Sequence, residues 1–536
     1  MRGNSHLMRN CWLLLSIWTC FLFRGWFYAS LFPLWEGYDE FAHFGVVRAM
    51  VAKGLLLVPR DQPGPRDVEE SLKLAPIPWE VRGWEVLRSS LTEDDYWKLP
   101  PEERRAREAR LRNMPPAWAQ ADSTHGISAY EALQPPLYYW LMAPVLYALK
   151  NSGLLAQVMW LRWIGIVIAS LAIPVTFRIS RAVTRCETVA LGCSTVVALM
   201  PGFAINAARV SNEPAAILLF TLLIWLGIGV LNRPPDVRSA AALGAVLGLR
   251  LLTKVYFLTA VPPVLLLLFR RWRNAWAPLV TAPLVAVVIA GWWYARNVIT
   301  TGTLSGLAEP VLLRSRGLTA VAAAIPHIPW FRAVDVILAS HLYFCGWSSL
   351  TVRGWMYHVF YVIVLLAAFG LIAQLGRRAA VWLAGIYALF WLGQLYNVML
   401  QYLTKGLAGS MGWYMYAVVA CEVLLSAVAF GRWRVWAVSL GAVLFGSLDL
   451  YGMHWLAIPY YTGLIGHRAN GAIATMHPSQ FRAIGFSALF ERMAVNKPMS
   501  SHLLIVLWIL YSAGTMLPML LPMFAGLLSA PRDKVR

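Results

Sequence analysis

The chain carries a series of long, unalternated runs of apolar residues, and these constrain its fold more than any other feature. Such runs predict helices, and about 20 apolar residues are enough to cross a bilayer. Only 13% of the residues are charged, against about 25% in soluble proteins. We therefore predict an all-α, multi-pass membrane protein of about twelve spans, roughly 11 to 13. The runs lie near positions 11–34, 159–178, 188–206, 214–231, 239–253, 255–269, 276–295, 355–374, 379–400, 413–430, 434–449 and 502–527.

Basic residues concentrate in alternate short connections between the runs, for example in 178–185 and 377–378. The positive-inside bias places such connections in the cytoplasm. The pattern holds only if 137–149 is an interfacial or re-entrant helix and not a span. The same bias explains the net charge of +20 without a nucleic-acid partner. We expect an inner (plasma) membrane protein with both termini cytoplasmic.

This topology leaves three long segments outside the membrane and divides the chain into seven parts. Juxtamembrane helices are expected in the outer segments. The parts are the first span (1–34), a first outer segment (35–158), a membrane core (159–295), a second outer segment (296–354), further spans (355–449), a third outer segment (450–501), and the last span with a cytoplasmic tail (502–536).

The segment after the first span holds the densest group of polar residues. Asp39, Glu40 and His43 stand within five positions, and the apolar residues around them recur at steps of three and four. That spacing predicts a helix on which Asp39 and His43 share a face. Each residue also has a purely structural interpretation: a helix cap for Asp39, a solvated acid for Glu40, and a hydrogen-bonded histidine for His43.

Further polar residues fall at the same predicted outer boundary of the membrane. Charges there usually form pairs or serve a substrate, because desolvating them is costly. Lys254 and Arg296 could equally anchor the membrane interface. The group comprises Glu131, Gln134, Arg209, Asn212, Glu213, Lys254, Arg296 and Lys405.

Transfer of a sugar from a polyprenyl phosphate requires this mixture of groups. A carboxylate such as Asp39 takes the proton of the acceptor. Cations, or a metal ion, stabilise the departing phosphate. Arg209, Lys254, Arg296 and Lys405 are the candidate cations.

Several motifs resemble those of the GT-C superfamily of membrane glycosyltransferases, which includes bacterial aminoarabinose transferases and protein O-mannosyltransferases. The stretch DEFAHF after the first span and QPPLYYW at Gln134–Trp140 are similar to family elements and occur in the family's order. Weaker similarities lie at Leu161–Trp163, Val210–Pro214, Leu249–Lys254 and Gly291–Asn297.

The resemblance implies a GT-C-like fold and an inverting glycosyltransferase. Asp39 is then the catalytic carboxylate, supported by Glu40, and Glu131 lies near a second functional acid. Arg162 is expected near the site. The residues expected to bind substrate are His43, Glu131, Gln134, Arg162, Asn212, Glu213, Lys254, Arg296 and Lys405.

The sequence departs from the family at Gly412-Trp413-Tyr414, where many relatives have G-R-Y. Trp413 replaces an arginine suited to the donor phosphate, and Arg296 or Lys405 could substitute for it. A catalytically inactive assembly subunit is therefore one alternative, and a lipid or sugar transporter or flippase is another.

The expected partners are the bilayer, a polyprenyl-phosphate sugar donor, and an acceptor that is a glycan, a lipid or a protein. Asp39, Glu40 and His43 suit a metal-free site as well as one with a divalent metal ion.

Overall fold

The computed structural model describes residues 2–269, 276–314 and 317–528, and this part of the chain is helical with only isolated β-bridges. The end of the predicted cytoplasmic tail, 529–536, lies outside it. The helices of the membrane bundle are α1 (Arg2–Leu31), α7 (Leu154–Ser170), α8 (Ala172–Thr184), α9 (Glu187–Leu199), α10 (Pro201–Ala207), α11 (Glu213–Asn232), α12 (Val237–Leu251), α13 (Val261–Phe269), α14 (Trp276–Thr301), α18 (Gly354–Ile372), α19 (Arg378–Lys405), α20 (Val419–Ala429), α21 (Arg434–Gly452) and α25 (Ser501–Leu528).

Shorter helices occupy the three long segments between them. They are α2 (Glu40–Lys53), α3 (Arg66–Leu74), α4 (Glu93–Tyr96), α5 (Pro101–Arg112), α6 (Leu137–Ala148), α15 (Ala308–Leu313), α16 (Leu318–Ala324), α17 (Trp330–Leu342), α22 (Ile458–Tyr461), α23 (Pro478–Ile484) and α24 (Phe486–Ala494). A 3-10 helix, Gly412–Val418, leads into α20.

Nine helical stretches in the described residues are long and apolar enough to cross a membrane. Two further pairs of helices, bent by 58° and 74°, bring the number to 11 if each pair is one span. The all-α, multi-pass fold is confirmed. The count of twelve stays a prediction, because α12 and the apolar helix at Leu258–Phe269 are short.

An ion pair inside the membrane bundle joins α1, α21 and α25. Arg24 Nη2 lies 2.9 Å from Asp449 Oδ1, and both side chains are fully buried. The hydroxyls of Tyr28 and Tyr511 also donate to this carboxylate, at 2.8 and 2.7 Å. Because buried charges require partners, this cluster fixes how the three helices pack.

The three long segments contact one another at one end of the bundle. Ser348 donates to both carboxylate oxygens of Glu36, each at 2.8 Å, which joins the first and second segments. His467 Nδ1 lies 2.8 Å from Asp94, and its Nε2 lies 3.0 Å from the carbonyl of Ser348. The helical path of α21 continues through a π-helical turn to Tyr461, within the predicted third outer segment of 450–501, whose bounds stay a prediction.

An apolar cavity of about 920 Å³ lies inside the bundle, between α17, α18, α19, α20 and α21. His341 and Glu422 line it, and His341 Nε2 lies 2.9 Å from the Glu422 carboxylate. Met415 also faces this cavity, so the 3-10 helix Gly412–Val418 forms part of its wall.

Candidate active site

Asp39 stands at the turn between α1 and α2, in a left-handed conformation with φ 55° and ψ 16°. Aspartate tolerates this conformation better than most residues with a side chain. Asp39 occupies the cap position of α2, yet its side chain accepts no hydrogen bond from that helix. It accepts one from the Tyr130 hydroxyl instead, at 2.6 Å. The half-buried carboxylate is therefore directed away from the helix end.

Three cations act on the Asp39 carboxylate. Burial raises the pKa of Asp39, while the Tyr130 hydrogen bond and the positive charges of Arg209, Lys254 and Lys405 oppose that rise. Opposite charges affect a pKa in this way when they lie close in a poorly solvated site. The fold thus brings together an acid and three cations from distant parts of the chain.

Glu40 does not face solvent, because it is held in a buried ion pair with Arg162. Arg162 donates from Nε at 2.7 Å and from Nη2 at 2.5 Å to the two carboxylate oxygens. The Val210 amide donates to Glu40 at 2.8 Å, and Arg162 also donates to the Pro33 carbonyl at 2.8 Å. The pair fastens α2 to α7 and to the end of α1, and so holds the adjacent Asp39 in place. A supporting role for Glu40 fits these contacts; direct participation in chemistry stays a prediction.

His43 and Glu131 form a second group beside Asp39. His43 Nδ1 lies 2.9 Å from the Tyr139 hydroxyl, and its Nε2 lies 3.6 Å from Glu131 Oε2. Burial, together with the charges of Lys254 and a neighbouring arginine, lowers the pKa of His43 well below its usual value, so the ring is neutral. Burial and then the Asp39 charge raise the pKa of Glu131 to about 8. Glu131 therefore keeps its proton near neutral pH.

Lys254 is paired within the site. It forms a buried ion pair with Glu213, which also accepts a hydrogen bond from the Tyr256 hydroxyl at 3.0 Å. Asn212 is fully buried and donates to the Thr253 carbonyl at 3.2 Å. These contacts hold the start of α11 against the end of α12. The charge of Lys254 is thereby largely compensated.

Lys405 and Arg296 have other neighbours. Lys405 Nζ lies 2.7 Å from Glu309, with about half of its side chain exposed (51%). Arg296 lies over the Trp293 ring at 5.1 Å and close enough to Arg60 that its charge, after burial, lowers the Arg60 pKa. Arg296 is thus grouped with another arginine, and its predicted substitution for the missing family arginine stays a prediction.

Arg209 was among the predicted cations, but its setting could not be foreseen. It is 3% exposed, and its guanidinium lies 4.5 Å above the Tyr38 ring and 5.7 Å from the Trp413 ring. Within the described ranges, no carboxylate lies within 4 Å of it. Two residues in the sequence could have indicated this aromatic setting of Arg209. They are Tyr38, which is adjacent to Asp39, and Trp413, which stands at the position of the family arginine.

Gln134 and a divalent metal ion are the remaining predicted components of the site. The Gln134 Oε1 atom is buried and has no hydrogen-bond partner in the part of the chain that the structure describes. No group of three or more His, Cys, Asp or Glu side chains in that part is arranged to hold a metal ion. A divalent metal stays a prediction.

No family model matches the chain, and no curated protein matches its sequence. Solved structures of similar fold include ArnT from Cupriavidus metallidurans bound to undecaprenyl phosphate, at 14% identity and a TM-score of 0.45 over 97% of this chain and 77% of that one. The apo state of ArnT has 13% identity and a TM-score of 0.40 over 90% and 75%. An oligosaccharyltransferase of Archaeoglobus fulgidus in complex with zinc and sulfate has 15% identity and a TM-score of 0.35 over 82% and 54%.

Proposed function

We propose that this protein is an inverting membrane glycosyltransferase, which moves a sugar from a polyprenyl-phosphate donor to an extracytoplasmic acceptor. One observation carries the proposal. A half-buried carboxylate, Asp39, lies at the turn between α1 and α2, where it accepts a hydrogen bond from Tyr130 and the charges of Arg209, Lys254 and Lys405 act on it. The order of the DEFAHF and QPPLYYW motifs supports it further.

In the proposed reaction, Asp39 takes the proton from a hydroxyl or amine of the acceptor. The acceptor atom then attacks the anomeric carbon from the face opposite the phosphate, and the bond from that carbon to the phosphate oxygen breaks. The electron pair leaves with the phosphate, and the configuration at the sugar inverts. General-base catalysis of this kind contributes about 10²–10⁴-fold to the rate.

The electrostatics of the site suit both partners of this reaction. A raised pKa makes the Asp39 carboxylate a better proton acceptor at neutral pH. Arg209 would stabilise the departing phosphate, whereas the charge of Lys254 is largely compensated by Glu213. Because Glu131 holds its proton near neutral pH, it adds no second negative charge beside an anionic donor.

The remaining predicted residues would serve the substrates through contact or position. These residues are His43, Glu131, Gln134 and Asn212. The site would face the extracytoplasmic side of the inner membrane, with both termini in the cytoplasm, as the distribution of basic residues predicts.

The test is a turnover assay on purified protein in lipid nanodiscs with a panel of polyprenyl-phosphate sugars and a mixture of glycans, lipids and proteins as acceptors. We expect the wild type to release polyprenyl phosphate and Asp39→Asn to be at least about 100-fold slower. Asn is similar in shape, tolerates the left-handed conformation and can still accept the Tyr130 hydrogen bond, so the variant should fold. Asp61→Asn, at an exposed aspartate, is the matched control. Equal turnover by the wild type and Asp39→Asn would refute the proposed role.

The apolar cavity of about 920 Å³ favours a second candidate function, a lipid transporter or flippase. A protein of that class would move a fluorescent lipid between leaflets of proteoliposomes without releasing polyprenyl phosphate. A catalytically inactive assembly subunit would bind the donor lipid and do neither. The same nanodisc and liposome preparations therefore separate the three functions.

A further inference from the structure

Trp413 takes part in a closely stacked aromatic pair beside the site. Its ring lies face to face with Tyr38, with centroids 3.6 Å apart and planes 11° apart. Both side chains are buried, at 7% and 3% exposed. Tyr38 directly precedes Asp39, so the residue that replaces the family arginine packs against the turn that carries the predicted base.

The stack also orients Arg209. Besides lying over the Tyr38 ring, Arg209 donates to the backbone carbonyl of Asn206 at 3.2 Å and to its side-chain oxygen. The Asn206 amide in turn donates to the Trp413 carbonyl at 3.5 Å. The four residues form a closed set of contacts. A guanidinium held in this way keeps its direction before any ligand arrives.

Charge compensation distinguishes Arg209 from the other two cations that act on Asp39. Lys254 is paired with Glu213, and Lys405 with Glu309. Arg209 has no carboxylate within 4 Å among the described residues. Of these three cations, Arg209 is therefore the one that forms no direct ion pair in the described part of the chain.

We propose that the Tyr38–Trp413 stack holds Arg209 as the cation that recognises the donor phosphate. The inference rests on the proposed function and names the phosphate-binding cation of the same site and the residue that positions it. Trp413 is a positioning residue, because it acts on the phosphate only through Arg209.

The experiment measures binding of short prenyl probes to the full chain in nanodiscs by titration calorimetry, without divalent ions. The probes are methyl farnesyl phosphate, which is a monophosphate diester like the proposed donor, and farnesol, which has no charge. We expect the wild type to bind the diester at least about 10-fold more tightly than farnesol. Equal affinities for the two probes would overturn the recognition of the phosphate, and this comparison needs no variant.

Variants test the role of the stack. Arg209→Gln and Trp413→Leu should each weaken binding of the diester about 10-fold, whereas Trp413→Phe, which keeps a flat ring, should stay within about 3-fold of the wild type. Trp12→Leu, at an exposed tryptophan of α1, is the matched control. Arg209→Gln and Trp413→Leu should lose affinity for the diester and keep their affinity for farnesol. A structural defect would instead weaken binding of both probes. Wild-type affinity in Trp413→Leu would overturn the positioning role.

Failure of the inference and failure of the proposed function give different results. A wild type that binds no prenyl phosphate and transfers no sugar refutes both. A wild type that transfers sugar and binds the diester, with Trp413→Leu and Arg209→Gln unchanged, refutes only the inference.

Discussion

The ion pair between Glu40 and Arg162 should behave as one cooperative unit that holds the Asp39 turn. The perturbation is a double-mutant cycle made of Glu40→Gln, Arg162→Met and the double variant. Both side chains are buried, at 0% and 2% exposed. Their two hydrogen bonds, at 2.7 and 2.5 Å, connect residues 122 positions apart.

The structure gives the order of the effects. Arg162→Met leaves the Glu40 charge buried and also removes donors to the carbonyls of Ala29, Phe32 and Pro33. Removing one partner of a buried pair destabilises by about 3–5 kcal/mol. Glu40→Gln keeps an acceptor for Arg162 and for the Val210 amide, so its loss should be about 1–3 kcal/mol.

The double variant should lose less than the sum of the single variants, because the charge that each single change leaves unpaired is absent from it. We expect a coupling free energy of about 1–3 kcal/mol. The measurement is the melting temperature of the detergent-solubilised protein. It is determined by size-exclusion chromatography of samples that have been heated to increasing temperatures. At roughly 1 °C per kcal/mol for a chain of this length, Arg162→Met should lower the melting temperature by about 3–5 °C. Additive losses would refute the idea that the two residues act as a pair.

Three further predictions concern other parts of the molecule. The Glu131 pKa is raised to about 8, so the stability that the protonated group contributes should be lost as the pH rises to that value, and ionised Glu131 should weaken binding of methyl farnesyl phosphate. Glu131→Gln should abolish this fall in affinity, and titrations in which the variant still loses affinity above about pH 8 would contradict the assignment. Asp449→Ala leaves Arg24 unpaired in the bundle and should destabilise by about 3–5 kcal/mol, seen as a lower melting temperature, whereas an unchanged value would show that the pair is not needed. Ser348→Ala removes the hydroxyl hydrogen bond to Glu36 but keeps the one from the backbone amide, and this loss should speed tryptic cleavage of the loop segments; equal cleavage rates would be the contrary result.

The helical membrane fold could be predicted because it depends on composition and run length alone. The same holds for the position of Asp39 directly after α1, and for the short helix α6 at Leu137–Ala148. The number of spans was harder to predict, since α12 and α13 are shorter than a bilayer requires and two helix pairs are bent. Tertiary packing of short helices against their neighbours is not visible in a hydropathy pattern.

The partners of the charged residues could not be predicted, because they come from distant positions. Lys254 and Glu213 are 41 residues apart, and Lys405 and Glu309 are 96 apart. From the sequence, each lysine looked equally available to a substrate phosphate. The structure shows both paired with a carboxylate, and a compensated cation attracts an anion much less than a free one.

Which cation remains free is therefore the property that decides how this site meets an anionic donor, and only the folded chain displays it. From the sequence, Trp413 was expected to remove a positive charge from the site, because it takes the place of an arginine in the family pattern. In the structure it supports a different arginine: Arg209 lies 5.7 Å from its ring and 4.5 Å above Tyr38. The site can thus keep a positive charge although the arginine at position 413 of the family pattern is absent, because Trp413 packs against the stack that holds Arg209. That argument makes Trp413→Arg informative: a second cation beside Arg209 should raise affinity for farnesyl diphosphate relative to methyl farnesyl phosphate by about 10-fold, and an unchanged ratio in the calorimetric titration would contradict it.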